Sequence, residues 1–174
     1  MNTNTKNASV EAGPGAPKSN VVKEVKAVKF PKRNKAEGQP IEEIYFPGSK
    51  KATKARRHIN PDGTVGGYVA LTATVDKNAY VSKNACVYNH ATVLGRVEGR
   101  ASIAGKAFID KDVVVSGDMH VARHTYLTGK LHIVGDCKLN LPESAGGISG
   151  EKTIWLRDEI WGIRELKQQV DVAA

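Results

Sequence analysis

Cysteine is nearly missing from the 174 residues: Cys86 and Cys137 stand alone, far from each other and from any metal-ligand spacing. A disulfide framework and a cysteine-built zinc site are thereby excluded, and both thiols read as small fillers of a domain in a reducing compartment. No apolar run reaches membrane-spanning length, so no membrane contact is expected. The polar opening Met1-Asn2-Thr3-Asn4-Thr5 has no hydrophobic stretch behind it. That argues against a secretory signal there and makes the cytoplasm the expected location. Aromatics make up 6% of the chain, and no zinc-finger, RRM or helix-turn-helix pattern occurs, so nothing indicates a sequence-specific reader of nucleic acid.

What is present is a repeat of six. Aliphatics recur at Val69, Val75, Val81, Val87 and Val93, then at Val97, Ile103, Ile109, Val115, Val121, Leu127, Ile133 and Leu139. Small residues follow four positions later at Ala73, Ala79, Ala85, Ala91, Ala101 and Ala107, and the intervening turns are rich in Gly, Asn and Asp. Only the Val93–Val97 step breaks the count, at four residues around Leu94-Gly95-Arg96, and a tightened corner is expected there. A period of six fits neither an amphipathic helix nor alternating strands, whereas fixed-period self-similarity marks a solenoid. Each hexad then supplies a short strand whose aliphatic points into a narrow core, with the small residue beside it and Gly, Asn or Asp at the corner. Beyond Ala107 the small position enlarges to Val113, Met119, Thr125 and Leu131, so the core should widen toward the C-terminal end.

The net charge of +8 is segregated. Residues 1–60 hold thirteen Lys/Arg against five Asp/Glu, while residues 61–174 hold thirteen of each. Residues 1–60 read as a basic N-terminal arm, extended or disordered alone, because its polar first part cannot bury enough apolar area to offset the entropy of ordering. Two clusters stand out: Lys29, Lys32, Arg33 and Lys35, then Lys50, Lys51, Lys54, Arg56 and Arg57 beside His58. Between them Ile41–Pro47 is an apolar–acidic island suited to a short strand or to docking. Such clusters fit a solvated tail, an arm that orders on a protein neighbour, or phosphate contacts that add affinity without reading sequence.

Val81-Ser82-Lys83-Asn84-Ala85-Cys86, Val97-Glu98-Gly99-Arg100-Ala101-Ser102 and Ile103-Ala104-Gly105-Lys106-Ala107-Phe108 resemble the hexapeptide-repeat superfamily over about 70 residues. The run from Gly66-Gly67-Tyr68-Val69 through the Asn-Ala-Tyr-Val and Asn-Ala-Cys-Val blocks resembles repeat proteins of phages and prophages, whose role is mostly unknown. The resemblance implies an all-β solenoid, a left-handed parallel β-helix over residues 61–140 with three hexads per turn, and a homotrimer. For a phage-encoded protein the location would be host cytoplasm or virion. Three hexads per turn stack Thr74, Thr92, Phe108 and Tyr126 on one face, and Tyr80 and Val114 also occupy outward positions. Outward apolar side chains of this kind mark an interface.

Enzymes of the same superfamily include acyltransferases with a histidine base at a subunit interface and carbonic anhydrases whose zinc is held by three histidines. The histidines here are His58, His90, His120, His124 and His132. Hexad counting puts His90 and His124 in one corner column two turns apart, roughly 10 Å at the strand spacing, too far for one metal in one chain. It puts His120 and His132 on different faces. No loop leaves the coil to build a pocket and no carboxylate partners a histidine, so no catalytic residue, metal or cofactor is assigned. The alternative to a non-catalytic protein is an acyltransferase using His90 or His124 across a trimer interface.

Residues 141–174 read as a loop, a short strand over Lys152–Leu156 and a helix from Arg157 to about Val170, together capping the coil end. Trp155 and Trp161 either cover that end or anchor a partner. The expectation is a structural or interaction protein: a homotrimer whose basic arm docks onto a protein assembly, or alternatively onto nucleic acid.

Overall fold

The computed structural model of the chain describes residues 39–157 and Ile160. After β1 (Glu42–Ile44), β2 (Thr53–Ile59) and β3 (Val65–Ala70), the chain winds through short strands at six-residue intervals, with one step of four. These are β4 (Thr74–Val75), β5 (Tyr80–Val81), β6 (Cys86–Val87), β7 (Thr92–Val93), β8 (Arg96–Val97), β9 (Ser102–Ile103) and β10 (Phe108–Ile109). Longer strands follow: β11 (Val114–Gly117), β12 (His120–Arg123), β13 (Tyr126–Gly135), β14 (Lys138–Leu141) and β15 (Ile148–Leu156). Every strand from β3 onward pairs in parallel with a strand of the next coil, giving a β-solenoid of about five turns.

The solenoid has three faces. The first carries β3, β6, β9, β12 and β14, the second β4, β7, β10 and the start of β13, and the third β5, β8, β11 and the end of β13. The repeated aliphatics form its core: those from Val81 to Leu139 are fully buried. Burial of each such side chain contributes about 1.5–3 kcal/mol. The alanines four residues on are buried beside them. Lower down Val113, Met119, Thr125 and Leu131 take that position and are equally buried, so the enlargement fills the interior. Cys137 Sγ lies 3.7 Å from Met119 Sδ in this lower core. The one polar side chain among the four, Thr125, donates its hydroxyl to Ala122 O at 2.7 Å and accepts from Leu141 N at 3.0 Å.

The four-residue step is a tightened corner. Leu94 N–H bonds Ile109 O at 2.8 Å and Arg96 N–H bonds Val113 O at 2.9 Å, so three residues span what takes five in the next coil. A Cβ on Gly95 would lie 2.3 Å from Asp110 O and 2.4 Å from Val113 O. Only glycine lets the shortened backbone lie against the coil below.

Both ends differ from the sequence reading. Composition extends the basic arm to residue 60, yet β1, β2 and β3 form an antiparallel unit at the start of the first-face sheet. The reason is backbone satisfaction. On the third face the first coil has no predecessor, and β2 with its following turn supplies the missing partners. His58 Nε2 bonds Ala79 O at 2.9 Å, and Asn60 Oδ1 accepts from Val81 N at 2.9 Å while its amide donates to Thr64 Oγ1. At the other end the hexad count stops the coil at residue 140. Instead β15 pairs in parallel along β13 from Leu127↔Ile148 to Gly135↔Leu156, and Ile160 bridges Leu139. Ile148, Ile154 and Ile160 are buried and six apart, so the period resumes after the loop and its 3₁₀ turn at Glu143–Ala145. Apart from Arg157 and Ile160, the expected C-terminal helix lies outside the described residues.

Substituting Gly95→Ala is expected to destabilise the solenoid by about 1–3 kcal/mol or more by overpacking backbone that cannot yield, read from denaturant midpoints. A pH dependence follows from the cap. Burial is the main cause holding the His58 pKa below its ordinary value, against smaller upward contributions from the Ala79 carbonyl and Asp76. The unfolded chain therefore binds the proton more readily, and stability rises with pH. His58's contribution is complete above about pH 6.5 and is lost as pH falls toward its folded value. His120, also lowered, adds in the same direction. Melting temperatures between pH 8 and 5.5 should fall, and less steeply in His58→Gln than in the native chain.

Candidate functional site

The densest set of polar and aromatic side chains lies on the first face beneath the β1–β2 hairpin. Phe46, 4% exposed, stacks on Tyr88 with ring centroids 4.8 Å apart and planes 8° apart. Tyr88 donates its hydroxyl to Pro47 O at 2.9 Å, and burial pushes its pKa up to about 12. Tyr68 donates to Glu42 Oε2 at 2.9 Å, with the Arg57 guanidinium 3.9 Å above its ring. Arg57 also donates to Gly66 O and Lys83 O. The apolar–acidic island thus docks on its own coil, with Phe46 as the anchor.

Register aligns Tyr68, Cys86, Ser102, His120 and Lys138 down this face. Ser102 Oγ and His120 Nδ1 share a hydrogen bond at 2.7 Å. A hydroxyl beside an imidazole is the composition of an activated nucleophile. Its surroundings oppose that chemistry. Burial lowers the His120 pKa and the Lys138 cation lowers it further, where a general base needs an orienting carboxylate. Ser102 is itself buried, and burial raises the Cys86 thiol to about 11, away from thiolate reactivity. The arrangement packs as a polar column under the hairpin.

The remaining histidines are dispersed. His90 and His124 share the first corner, with Lys106 in register between them. His132 lies on the third face, where its Nε2 bonds Ser116 Oγ at 3.0 Å. Among the described residues no three His, Cys, Asp or Glu side chains converge as metal ligands.

The candidate interface residues separate by face. Thr74, Thr92, Phe108 and Tyr126 do align on the second face, with the Phe108 and Tyr126 rings 6.2 Å apart. Tyr126 is exposed but Phe108 is buried, so this column presents one aromatic surface, not two. Tyr80 and Val114 share the third face, separated by Arg96, whose guanidinium lies 4.4 Å from the Tyr80 ring and pairs with Glu98. Trp155, 62% exposed, stands in β15 opposite Val134 and borders a groove of about 270 Å³ with Gly117, Asp136 and Arg157. Trp161 lies outside the described residues, as do Lys29, Lys32, Arg33 and Lys35. Lys50, Lys51 and Lys54 are exposed on the hairpin, whereas Arg56 and Arg57 are half-buried in β2, with Arg57 engaged in the cap. Sequence reasoning missed the Phe46–Tyr88 contact. Its signal is the aromatic Tyr88 at a position where the next two coils carry Ala104 and Ala122.

Phe46→Ala is expected to cost about 3–5 kcal/mol, the usual range for removing a buried phenylalanine. Amide exchange of Glu42–Ile44 should accelerate more than that of the coil strands. Comparison with protein-family models, curated proteins and solved structures gives no match.

Proposed function

We propose that the chain is a non-catalytic structural or interaction protein: a left-handed hexapeptide-type β-helix that forms a homotrimer and carries a basic arm for docking onto a larger assembly. A phage structural or accessory protein is the concrete case, on the resemblance of the repeat. The observation that supports this reading is the in-register alignment of outward side chains into straight columns on rigid faces. The hairpin occupies the upper first face through Phe46 and Tyr88, whereas Tyr126 and the Tyr80–Arg96–Val114 column belong to the second and third. Aromatic and arginine side chains on a rigid surface are the groups that dominate association energies. Self-association through these faces leaves the arm for an external partner.

Sedimentation equilibrium of the full chain is expected to give three chain masses, and a monomer at tens of micromolar would sink the trimer. Tyr126→Glu should dissociate the assembly if the second face is buried in it, and Val114→Glu if the third is. Neither substitution should lower the melting temperature of the isolated coil appreciably. An intact trimer in both variants would overturn the assignment of assembly to these columns.

A further inference from the structure

The N-terminal end of the coil is closed by separate contacts from β2 and the turn after it, and one of them is made by a buried histidine. His58, 6% exposed, bonds Ala79 O through Nε2 at 2.9 Å. Asn60 Oδ1 accepts from Val81 N, and Arg57 donates to Gly66 O and Lys83 O. At the first corner Lys54 O accepts from Leu71 N–H at 2.9 Å. The Phe46–Tyr88 stack and the Tyr68–Glu42 bond hold β1 on the outer side. None of the coil's own pairings uses β1 or β2: β4 pairs β7, β5 pairs β8, and β3 and β6 continue to β9. Solenoid stability is a sum of nearest-neighbour contacts, so a terminal unit can open while the rest stays wound.

The surroundings of His58 decide how such an opening responds to acid. Asp76, in the turn between β4 and β5, is the carboxylate that acts on it. Asp62, in the turn after β2, is taken up by Thr64 N–H and Oγ1–H. Of ionisable groups β3 and β5 carry only the phenols Tyr68 and Tyr80, and the turns beside β5 add Lys77 and Lys83. Its neighbours on β2 are Lys54, Arg56 and Arg57. A buried neutral imidazole must reach water to charge, so proton uptake favours the open form. Burial lowers the His58 pKa, and the Ala79 carbonyl and Asp76 offset this only in part. The closing contribution is therefore complete above about pH 6.5 and declines as pH falls toward the folded value.

We propose that residues 42–60 are an acid-released cap: near neutral pH they close the coil end, and in acid β1 and β2 leave it together while the coil from β3 onward stays wound. Release takes Phe46 off Tyr88 and Arg57 off the Gly66 and Lys83 carbonyls. It leaves Ala79 O and Val81 N to water at the coil end, where their partners were side chains and not a coil. The released segment carries Lys50, Lys51, Lys54, Arg56 and Arg57, the second basic cluster of the arm. Arm by composition and cap by structure are then two states of one segment. Under the docking reading above, acid lengthens the docking element; the uncapping itself does not depend on that reading. His58 is the one imidazole in the closing contacts, so the response is that of a single proton.

The test is hydrogen exchange of the full chain, read by mass spectrometry between about pH 7.5 and pH 5 and corrected for the intrinsic pH dependence of exchange. Peptides covering β1 and β2 should show larger opening constants than the coil strands β9 and β10 at every pH. Their opening constant should rise several-fold on acidification, to a ceiling of about thirtyfold set by one proton and an ordinary histidine value of about 6.5. In His58→Gln the side-chain amide still offers a donor to Ala79 O but does not titrate, so the rise should vanish whatever the level at neutral pH. In His120→Gln the rise should remain. A cap opening constant independent of pH in the native chain would overturn the proposal, as would a rise that survives His58→Gln. Equal constants for the cap and the coil strands would mean global unfolding and would overturn it too. Sedimentation at each pH separates uncapping from the assembly reading above: a rise appearing only as the solution mass falls would assign the exchange to a subunit interface instead.

Discussion

Each coil of this protein is held chiefly by hydrogen bonds to its neighbours, with single turn bonds within it at corners such as Ala79 N–H to Asp76 O and Ala107 N–H to Ala104 O. Short two-residue strands such as β5 or β9 have no independent stability; they exist because Tyr80 N–H finds Gly95 O below it and Ser102 N–H finds Met119 O. A ladder of this kind transmits order along its axis but must be closed wherever it ends, since an unpaired strand edge both costs free energy and invites association. At the N-terminal end the closure is chemical. His58 and Asn60 offer side-chain atoms at the places where a preceding coil would have offered backbone, and Arg57 ties the same hairpin to two carbonyls. At the other end β15 adds a nine-residue strand that runs along two faces of the coil above it, turning a set of short pairings into one long one.

The same stacking disciplines the surface. Interior positions are fixed by the narrow core, so chemical variety is confined to the outward positions, and the register lines these up in columns one coil apart. Any property of one coil is therefore set against its neighbours'. On the first face this produces the Tyr68–Cys86–Ser102–His120–Lys138 column, and beside it Phe46 stacks on Tyr88. On the corners it sets Asp118 beside Asp136 and lines up His90, Lys106 and His124. A surface made this way is linear and periodic.

The architecture was legible because it is written in a period. Val81 through Leu139 at intervals of six admit few structures other than stacked coils, and the short Val93–Val97 step, with glycine inside it, announced its tight corner. What was not legible was where the coil stops and what lies on it. Lysine and arginine give residues 1–60 the composition of an arm, yet Ala55, His58 and Asn60 are interspersed with those cations and are buried at the coil end. The C-terminal turn was obscured by the loop at residues 141–147, after which Ile148, Ile154 and Ile160 resume the period with no alanine four residues on to mark it.

By itself the sequence determined the repeat, the occupants of the core and the identity of the outward columns, since these depend only on spacing along the chain. Stacking of Thr74, Thr92, Phe108 and Tyr126, and the separation of His120 from His132, follow from counting hexads. Tertiary structure alone decided that Phe46 would lie on Tyr88, that Ser102 and His120 would share a hydrogen bond within a shielded column, and that Lys54 would stand over the row of His90 and Lys106. The physical reason is that a period specifies neighbours one turn apart, while a non-repeating segment finds its place by whatever unsatisfied backbone and uncovered apolar surface the finished coil presents.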